Sequence, residues 1–202
     1  MSQNRFLYAL VFVVGSASLG VEIAAARLMA PFFGASTIIW ANTIGVVLVA
    51  LSIGYWLGGR FADRRPEVRS LCAVVMVAAL LLAIVPLISR PFFDLSVDAL
   101  DQIEAGAFVG SLVAVLSLIA IPVILLGACA PWAIRLAVED VEHAGRVAGR
   151  LYAISTVGSL TGTMLAALVL SPFAGTQRTF RAFSLALAVV AARASENARK
   201  VR

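Results

Sequence analysis

Four stretches of this chain, 34–59, 70–89, 105–134 and 151–177, contain no Asp, Glu, Lys or Arg. Each reaches the roughly 20 residues that a helix, rising ~1.5 Å per residue, needs to cross a ~30 Å hydrocarbon layer. Inside that layer no water satisfies the backbone, so each stretch must close its own hydrogen bonds as a helix. A composition of 61% hydrophobic and 13% charged residues leaves too little polar surface for a soluble domain. The expected fold class is all-α, a polytopic membrane protein.

Two weaker segments flank these four. The first, 6–29, carries Glu22 and is ended by Arg27 and Pro31; the last, 176–194, is free of charge only over 182–192. Sidedness decides whether the last one spans. Six spans with the N-terminus inside place 12 of the 16 basic residues on the inner side, whereas five spans divide them 8 to 8. Excess Lys and Arg mark cytoplasmic loops, so the expectation is six spans with both termini cytoplasmic. Their approximate limits are 6–29, 37–59, 69–89, 105–130, 147–170 and 176–194, followed by a basic tail at 195–202. The Arg-rich, Lys-poor, Ala-rich usage points to a bacterium, and hence to its cytoplasmic (inner) membrane.

The same count explains the net charge of +5 without a nucleic-acid partner. The longest polar connections are too short to bury a core of their own. They also hold no Gly-rich strand-turn-helix pattern for a nucleotide or adenosyl group, so no cofactor is expected. Cys72 and Cys129 fall within spans and read as small buried hydrophobes. His143 has no second imidazole to join in a metal cluster. The segment 6–29 is too long, and too strongly followed by further spans, to be a cleaved signal peptide.

The span ends carry the specific residues. Glu22 lies about 24 Å along a helix that begins near Phe6, and an unpaired carboxylate at that depth costs on the order of a few kcal/mol. Arg27, five residues on, is offset by about 140°, so the two do not pair within one helix. Each is expected to find a partner on another helix, with Asn42, Thr43, Tyr55 and the polar row of the fifth span as candidates. Two readings stand: an interhelical tie, or a site for a cation or proton.

Gly54 and Gly58 form a small-xxx-small face that admits a neighbouring helix. Beyond them, Gly59-Arg60-Phe61-Ala62-Asp63-Arg64 places Arg60, Arg64 and Arg65 favourably at a helix C-terminus and Asp63 unfavourably, so Asp63 requires a partner elsewhere. Pro131 is expected to break or kink the fourth span and bring Arg135 out at the inner surface. Gly145-Arg146-x-x-Gly149-Arg150 then leads into Gly158-x-x-x-Gly162, a second close-packing face with Ser155, Ser159 and Thr163 beside it. Asp94, Asp98, Asp101 and Glu104 align along one face of a short outer helix.

Gly59, Ala62, Asp63 and Arg64 resemble the loop between the second and third helices of the major facilitator superfamily. Three longer strings carry a wider resemblance: Glu22…Arg27-Leu-x-Ala-Pro31-x-x-Gly34; Trp40…Gly45-Val…Gly54-Tyr-x-x-Gly58-Gly59…Asp63-Arg64; and Gly145-Arg146-x-x-Gly149-Arg150-Leu-Tyr-Ala…Gly158-Ser-x-x-Gly162-Thr. In order and spacing, over about residues 6–192, they are similar to the membrane domain of bacterial membrane-bound spermidine synthase-like proteins. Ser155 stands where that pattern has Asn.

The resemblance implies six helices arranged as half of a major facilitator bundle, and a cytoplasmic aminopropyltransferase-like domain following it. None of these 202 residues supplies that domain's chemistry. The favoured expectation is a membrane module that anchors or serves such a partner, its Arg-rich inner loops docking it and no catalytic residue of its own. Gly59, Asp63, Arg64, Arg135, Arg146 and Arg150 would then be structural or gating residues of those loops. The alternative is a half-size transporter for polyamines or other cations, acting as a homodimer, with Glu22, Arg27, Asn42 and Tyr55 as its polar site. A membrane enzyme in its own right is the weakest reading, because no His, Cys or carboxylate pair has catalytic spacing.

Overall fold

The computed structural model describes residues 3–100, 106–138 and 140–200, and no strand occurs among them. Six long helical elements follow in order. They are α1 (Gln3–Phe33), α2 (Thr37–Arg64), α3 (Val68–Leu100), α4 (Gly106–Ala137), α5 (Ala144–Met164, continuing as a π-helix over Leu165–Ala174) and α6 (Thr176–Lys200). The first five are long and apolar enough to cross a membrane. This is the architecture of a multi-pass membrane protein.

α6 is the exception in composition, since Arg178, Arg181 and Arg193 interrupt it. Its buried residues Phe180, Phe183, Ser184, Leu187, Ala191 and Ala194 recur every three or four positions, and that stripe packs on α1 and α3. Ser184 Oγ donates to the Ala79 carbonyl of α3 at 2.6 Å. Average apolarity is therefore the wrong measure for this helix, which is held by one face.

Several boundaries differ from the sequence expectation. α1 continues through Pro31 to Phe33 and stops where Gly34 takes φ 86°. That left-handed value, repeated at Gly175 (φ 85°) between α5 and α6, suits a residue without a Cβ. Ser36 caps α2 by accepting from the Ile39 N–H at 3.4 Å. α3 runs on past Arg90 and Pro91 to Leu100, so the acidic stretch begins as its continuation rather than as a separate helix. Asp94 is exposed there, while Asp101 and Glu104 lie outside the described residues.

α4 is compound: Gly106–Val115, a π-helical turn Leu116–Ala120 before Pro122, Ile121–Gly127, and Cys129–Ala137. The break falls at Ala128, one turn before Pro131, and the helix then passes through the proline. A proline's missing N–H and ring act on the turn that precedes it, which is where the irregularity sits.

The helices pair as α1 with α5, α2 with α4, and α3 with α6, while α1 also packs on α6 and α3 on α4. Exchanging α1, α2, α3 for α4, α5, α6 leaves this pattern unchanged. The bundle is thus two three-helix units of opposite orientation, with α1 parallel to α5 and α2 parallel to α4. The glycine pairs obey the same exchange. A Cβ on Gly58 of α2 would stand 2.5 Å from Ala128 Cα of α4, and one on Gly162 of α5 would stand 2.5 Å from the Ser16 carbonyl carbon of α1. Each middle helix therefore lays its glycine pair against the first helix of the opposite unit. Without an aqueous hydrophobic effect between helices, such backbone approach is how membrane helices gain packing energy.

Candidate functional site

The enclosed helices α1 and α4 meet the more exposed α2 and α5 around a cavity of about 250 Å³. On α1, Val11, Gly15 and Ser18 line it at i, i+4 and i+7, one helical face. Tyr55 with Leu48 and Leu51 enters from α2, Gly127 and Ala130 from α4, and Ser155 and Ser159 from α5. α2 and α5 make no extended contact with each other, so the cavity opens between them. Tyr55 is 47% exposed and Tyr152 of α5 is 55% exposed.

Two of the four hydroxyls that line this cavity are committed as donors. Ser18 Oγ gives its proton to the Val14 carbonyl at 2.9 Å, and Ser159 Oγ gives its proton to the Gly15 carbonyl at 3.2 Å. What they turn to the cavity are lone pairs. Beside the cavity, Ser16 Oγ reaches the Phe12 and Gly158 carbonyls, both at 2.9 Å. Gly127 can line the cavity only with backbone, and its carbonyl has no helical donor, because the residue four positions on is Pro131.

Glu22 extends the Val11, Gly15, Ser18 stripe by one more turn of α1. It is half-buried, with neither an ion pair nor a hydrogen bond among the described residues. Two of the partners proposed for it, Asn42 and Thr43, are engaged elsewhere. Asn42 Nδ2 donates to the Phe108 carbonyl at 3.1 Å and to Ser111 Oγ at 3.0 Å, tying α2 to α4. Thr43 Oγ1 donates to the Ile39 carbonyl at 2.9 Å. Glu22, Arg27, Asn42 and Tyr55 are thus not one cluster: Tyr55 lines the cavity, Glu22 continues its stripe, and the other two are interhelical ties.

Arg27 has a defined structural task. Its Nη2 donates to the Ala167 carbonyl of α5 at 3.0 Å. Ala167 lies in the π-helical stretch, where a carbonyl accepts from the residue five positions on, and that residue is Pro172. The guanidinium replaces the proton that the proline lacks.

At the other end of the bundle, Asp63 finds the partner its position requires. Arg135 Nε lies 3.4 Å from Asp63 Oδ1, with the two side chains 49% and 75% exposed respectively. Arg150 stacks on Tyr8 at 4.6 Å from the ring centre, and Arg60 on Trp56 at 4.8 Å. Arg64 and Arg146 are exposed. His143 Nδ1 lies 3.7 Å from Asp140 Oδ2 in the polar turn before α5. Gly59, unlike Gly58, faces open space.

The sequence motifs name Tyr55, Ser155 and Ser159 of the cavity lining but miss Gly15 and Ser18 of α1. A faint signal exists in the recurrence of 11, 15, 18 and 22 on one face of α1. The freed carbonyls at Gly127 and Ala167 are marked only by prolines four and five residues downstream. Among the described residues no three His, Cys, Asp or Glu side chains come together as a metal site. Comparisons with models of protein families, with curated proteins and with solved structures find no match to this chain.

Proposed function

We propose that this chain is the membrane module of a spermidine synthase-like protein, and that the module works as one half of a carrier whose ligand sits in the cavity between α1, α2, α4 and α5. The observation that carries this reading is the opening between α2 and α5. Exposed positions on these two helices include Ser52, Tyr55, Tyr152, Thr156 and Thr161 among apolar ones such as Leu48, Trp56, Leu160 and Leu168. A second copy placed against α2 and α5 would close the cavity, as facing halves do in carriers built from inverted repeats.

Disulfide trapping in native membranes tests this, in a background with Cys72 and Cys129 replaced by Ala. Tyr152→Cys should yield a covalent dimer on oxidation, and Leu185→Cys, on the exposed face of α6, should not. Equal trapping at both positions, or at neither, would remove the dimer from the account.

A second reading is supported by the opposite end of the bundle, where Arg60, Arg64 and Arg146 are exposed. By the positive-inside expectation this end is cytoplasmic. It would offer an acidic soluble partner a docking surface, such as the aminopropyltransferase-like protein that the sequence resemblance implies. Affinity capture from the native host discriminates the two. Recovery of such a partner with the module, lost in an Arg64→Glu, Arg146→Glu variant, favours anchoring; recovery of the module alone as a dimer favours the carrier.

A further inference from the structure

We infer that the cavity between α1, α2, α4 and α5 takes an uncharged, membrane-soluble ligand and holds it by a carbonyl group. The inference deepens the carrier reading, on which it rests for the cavity's purpose, and departs from the polyamine or other cation expected of a transporter. Three features of the lining carry it. First, among the described residues no Asp, Glu, Lys, Arg or His lines the cavity. Glu22 continues the α1 stripe but stands outside the lining. A charged ligand would give up its hydration on entry and meet no opposite charge, which is costly in an interior of low dielectric. Apart from four hydroxyls the lining is Val, Leu, Ala, Gly and Cys. A mostly apolar wall with a few placed polar groups suits a neutral small molecule.

Second, the free polar atoms ask for an acceptor. Ser18 and Ser159 have given their protons to the Val14 and Gly15 carbonyls. Thr156 and Thr161 of α5 likewise donate to carbonyls four residues back. Ser155, on the same helix, does not, and among the described residues neither its hydroxyl nor that of Tyr55 has a hydrogen-bond partner. Ser155 Oγ is turned to α1 instead, 3.2 Å from where a Cβ on Gly15 would stand. An O–H left unmet in apolar surroundings is costly, and a carbonyl oxygen, with two lone pairs, can accept from both hydroxyls. An ammonium brings donors alone. Third, the mouth lies at the depth of the hydrocarbon. Leu48 lines the cavity and is also 55% exposed, and it stands about 16 Å along α2 from Thr37. A ligand that enters there must dissolve in the bilayer. The volume of about 250 Å³ matches about eight waters at ~30 Å³ each, which is room for a head of one ring, with any tail left among the lipids.

Saturation-transfer NMR titration of the full chain in lipid nanodiscs, with empty nanodiscs as the blank, tests the assignment with four probes built on one ring. They are acetophenone, its isostere α-methylstyrene, in which a CH2 group replaces the carbonyl oxygen, 1-phenylethylammonium and benzoate. With each affinity referred to the probe's concentration in the lipid, acetophenone should bind about threefold to tenfold more tightly than α-methylstyrene, the worth of one neutral hydrogen bond. The two ions should not bind. Ser155→Ala should remove most of the preference for acetophenone and leave α-methylstyrene unchanged, with circular dichroism intact, whereas Thr156→Ala, at the exposed neighbouring position, should change neither. Acetophenone that fails to bind, that binds no more tightly than α-methylstyrene or the ammonium, or that ignores Ser155→Ala with the fold intact would overturn the inference. The carrier reading fails separately: a monomeric protein that still prefers acetophenone refutes the dimeric carrier and leaves the site, while a Tyr152→Cys dimer without that preference does the reverse.

Discussion

Replacing Gly162 by Ala tests how tightly the two three-helix units are joined. The new Cβ would lie 2.5 Å from the Ser16 carbonyl carbon and 2.6 Å from Ser16 Cα, against the 3.4 Å at which ordinary contact begins. The Ser16 carbonyl oxygen lies closer still; all three atoms are backbone, so no rotamer change relieves the clash, and α1 and α5 must separate by more than an ångström. Overpacking of this kind costs about 1–3 kcal/mol. The separation also stretches the bonds from Ser16 to the Gly158 carbonyl (2.9 Å) and from Ser159 to the Gly15 carbonyl (3.2 Å). Interhelical hydrogen bonds in a bilayer are worth about 0.6 kcal/mol each. The gain in helix propensity from Gly to Ala, up to about 1 kcal/mol, offsets part of this. The net expectation is a loss of about 1–3 kcal/mol. Gly59→Ala is the control, because no atom lies within 4 Å of its Cβ position, and it should be neutral or stabilising. Unfolding in mixed detergent and SDS micelles, followed by circular dichroism, measures both. If Gly162→Ala is as stable as Gly59→Ala, the close packing of α1 on α5 is wrong.

Three further outcomes follow from named contacts. Asp63 and Arg135 are too exposed to contribute much, so a double-mutant cycle with Asp63→Asn and Arg135→Gln should give a coupling of about 0–1 kcal/mol that shrinks with salt; a coupling above about 2 kcal/mol would show the pair to be shielded. Arg27→Gln should cost about 1–3 kcal/mol by orphaning the Ala167 carbonyl, and adding Pro172→Ala should restore most of it, whereas an unchanged double mutant would refute the proline explanation. Cys72 and Cys129 are both buried, so a maleimide should label neither until the protein is unfolded, and rapid labelling of native protein would contradict the packing of α3 and α4.

What could be read from the sequence is what depends on counting along the chain. Charge-free length marks spans two to five, and glycine spacing marks two faces able to approach a neighbour. The sidedness of arginine argues for a sixth helix that apolar length alone does not support, and α6 occupies that place with a buried stripe in place of a uniform apolar surface. What spacing could not show is which helix each face meets, because partner choice is set by three-dimensional packing. Gly58 meets Ala128 and Gly162 meets Ser16, contacts 70 and 146 residues apart in sequence. The candidate site was harder still. The conspicuous residues Asn42 and Arg27 are spent on interhelical hydrogen bonds. The cavity's polar lining is instead Ser18, Tyr55, Ser155 and Ser159, hydroxyls whose chemistry depends on where their protons go. The break expected at Pro131 falls in the turn on which that proline acts, at Ala128.

The carrier reading requires that water reach the cavity between α1, α2, α4 and α5, where Ser18, Tyr55, Ser155 and Ser159 supply the polar lining. Cysteine accessibility tests it most directly, in a background with Cys72 and Cys129 replaced by Ala. Single cysteines at Ser155 and Ala130, which line the cavity, and at Val113 and Leu168, which are exposed on the outside of the bundle, would be reacted in membranes with a small water-soluble methanethiosulfonate. Rapid reaction is expected at Ser155 and Ala130 and little reaction at Val113 and Leu168. Equal rates at all four positions would contradict it.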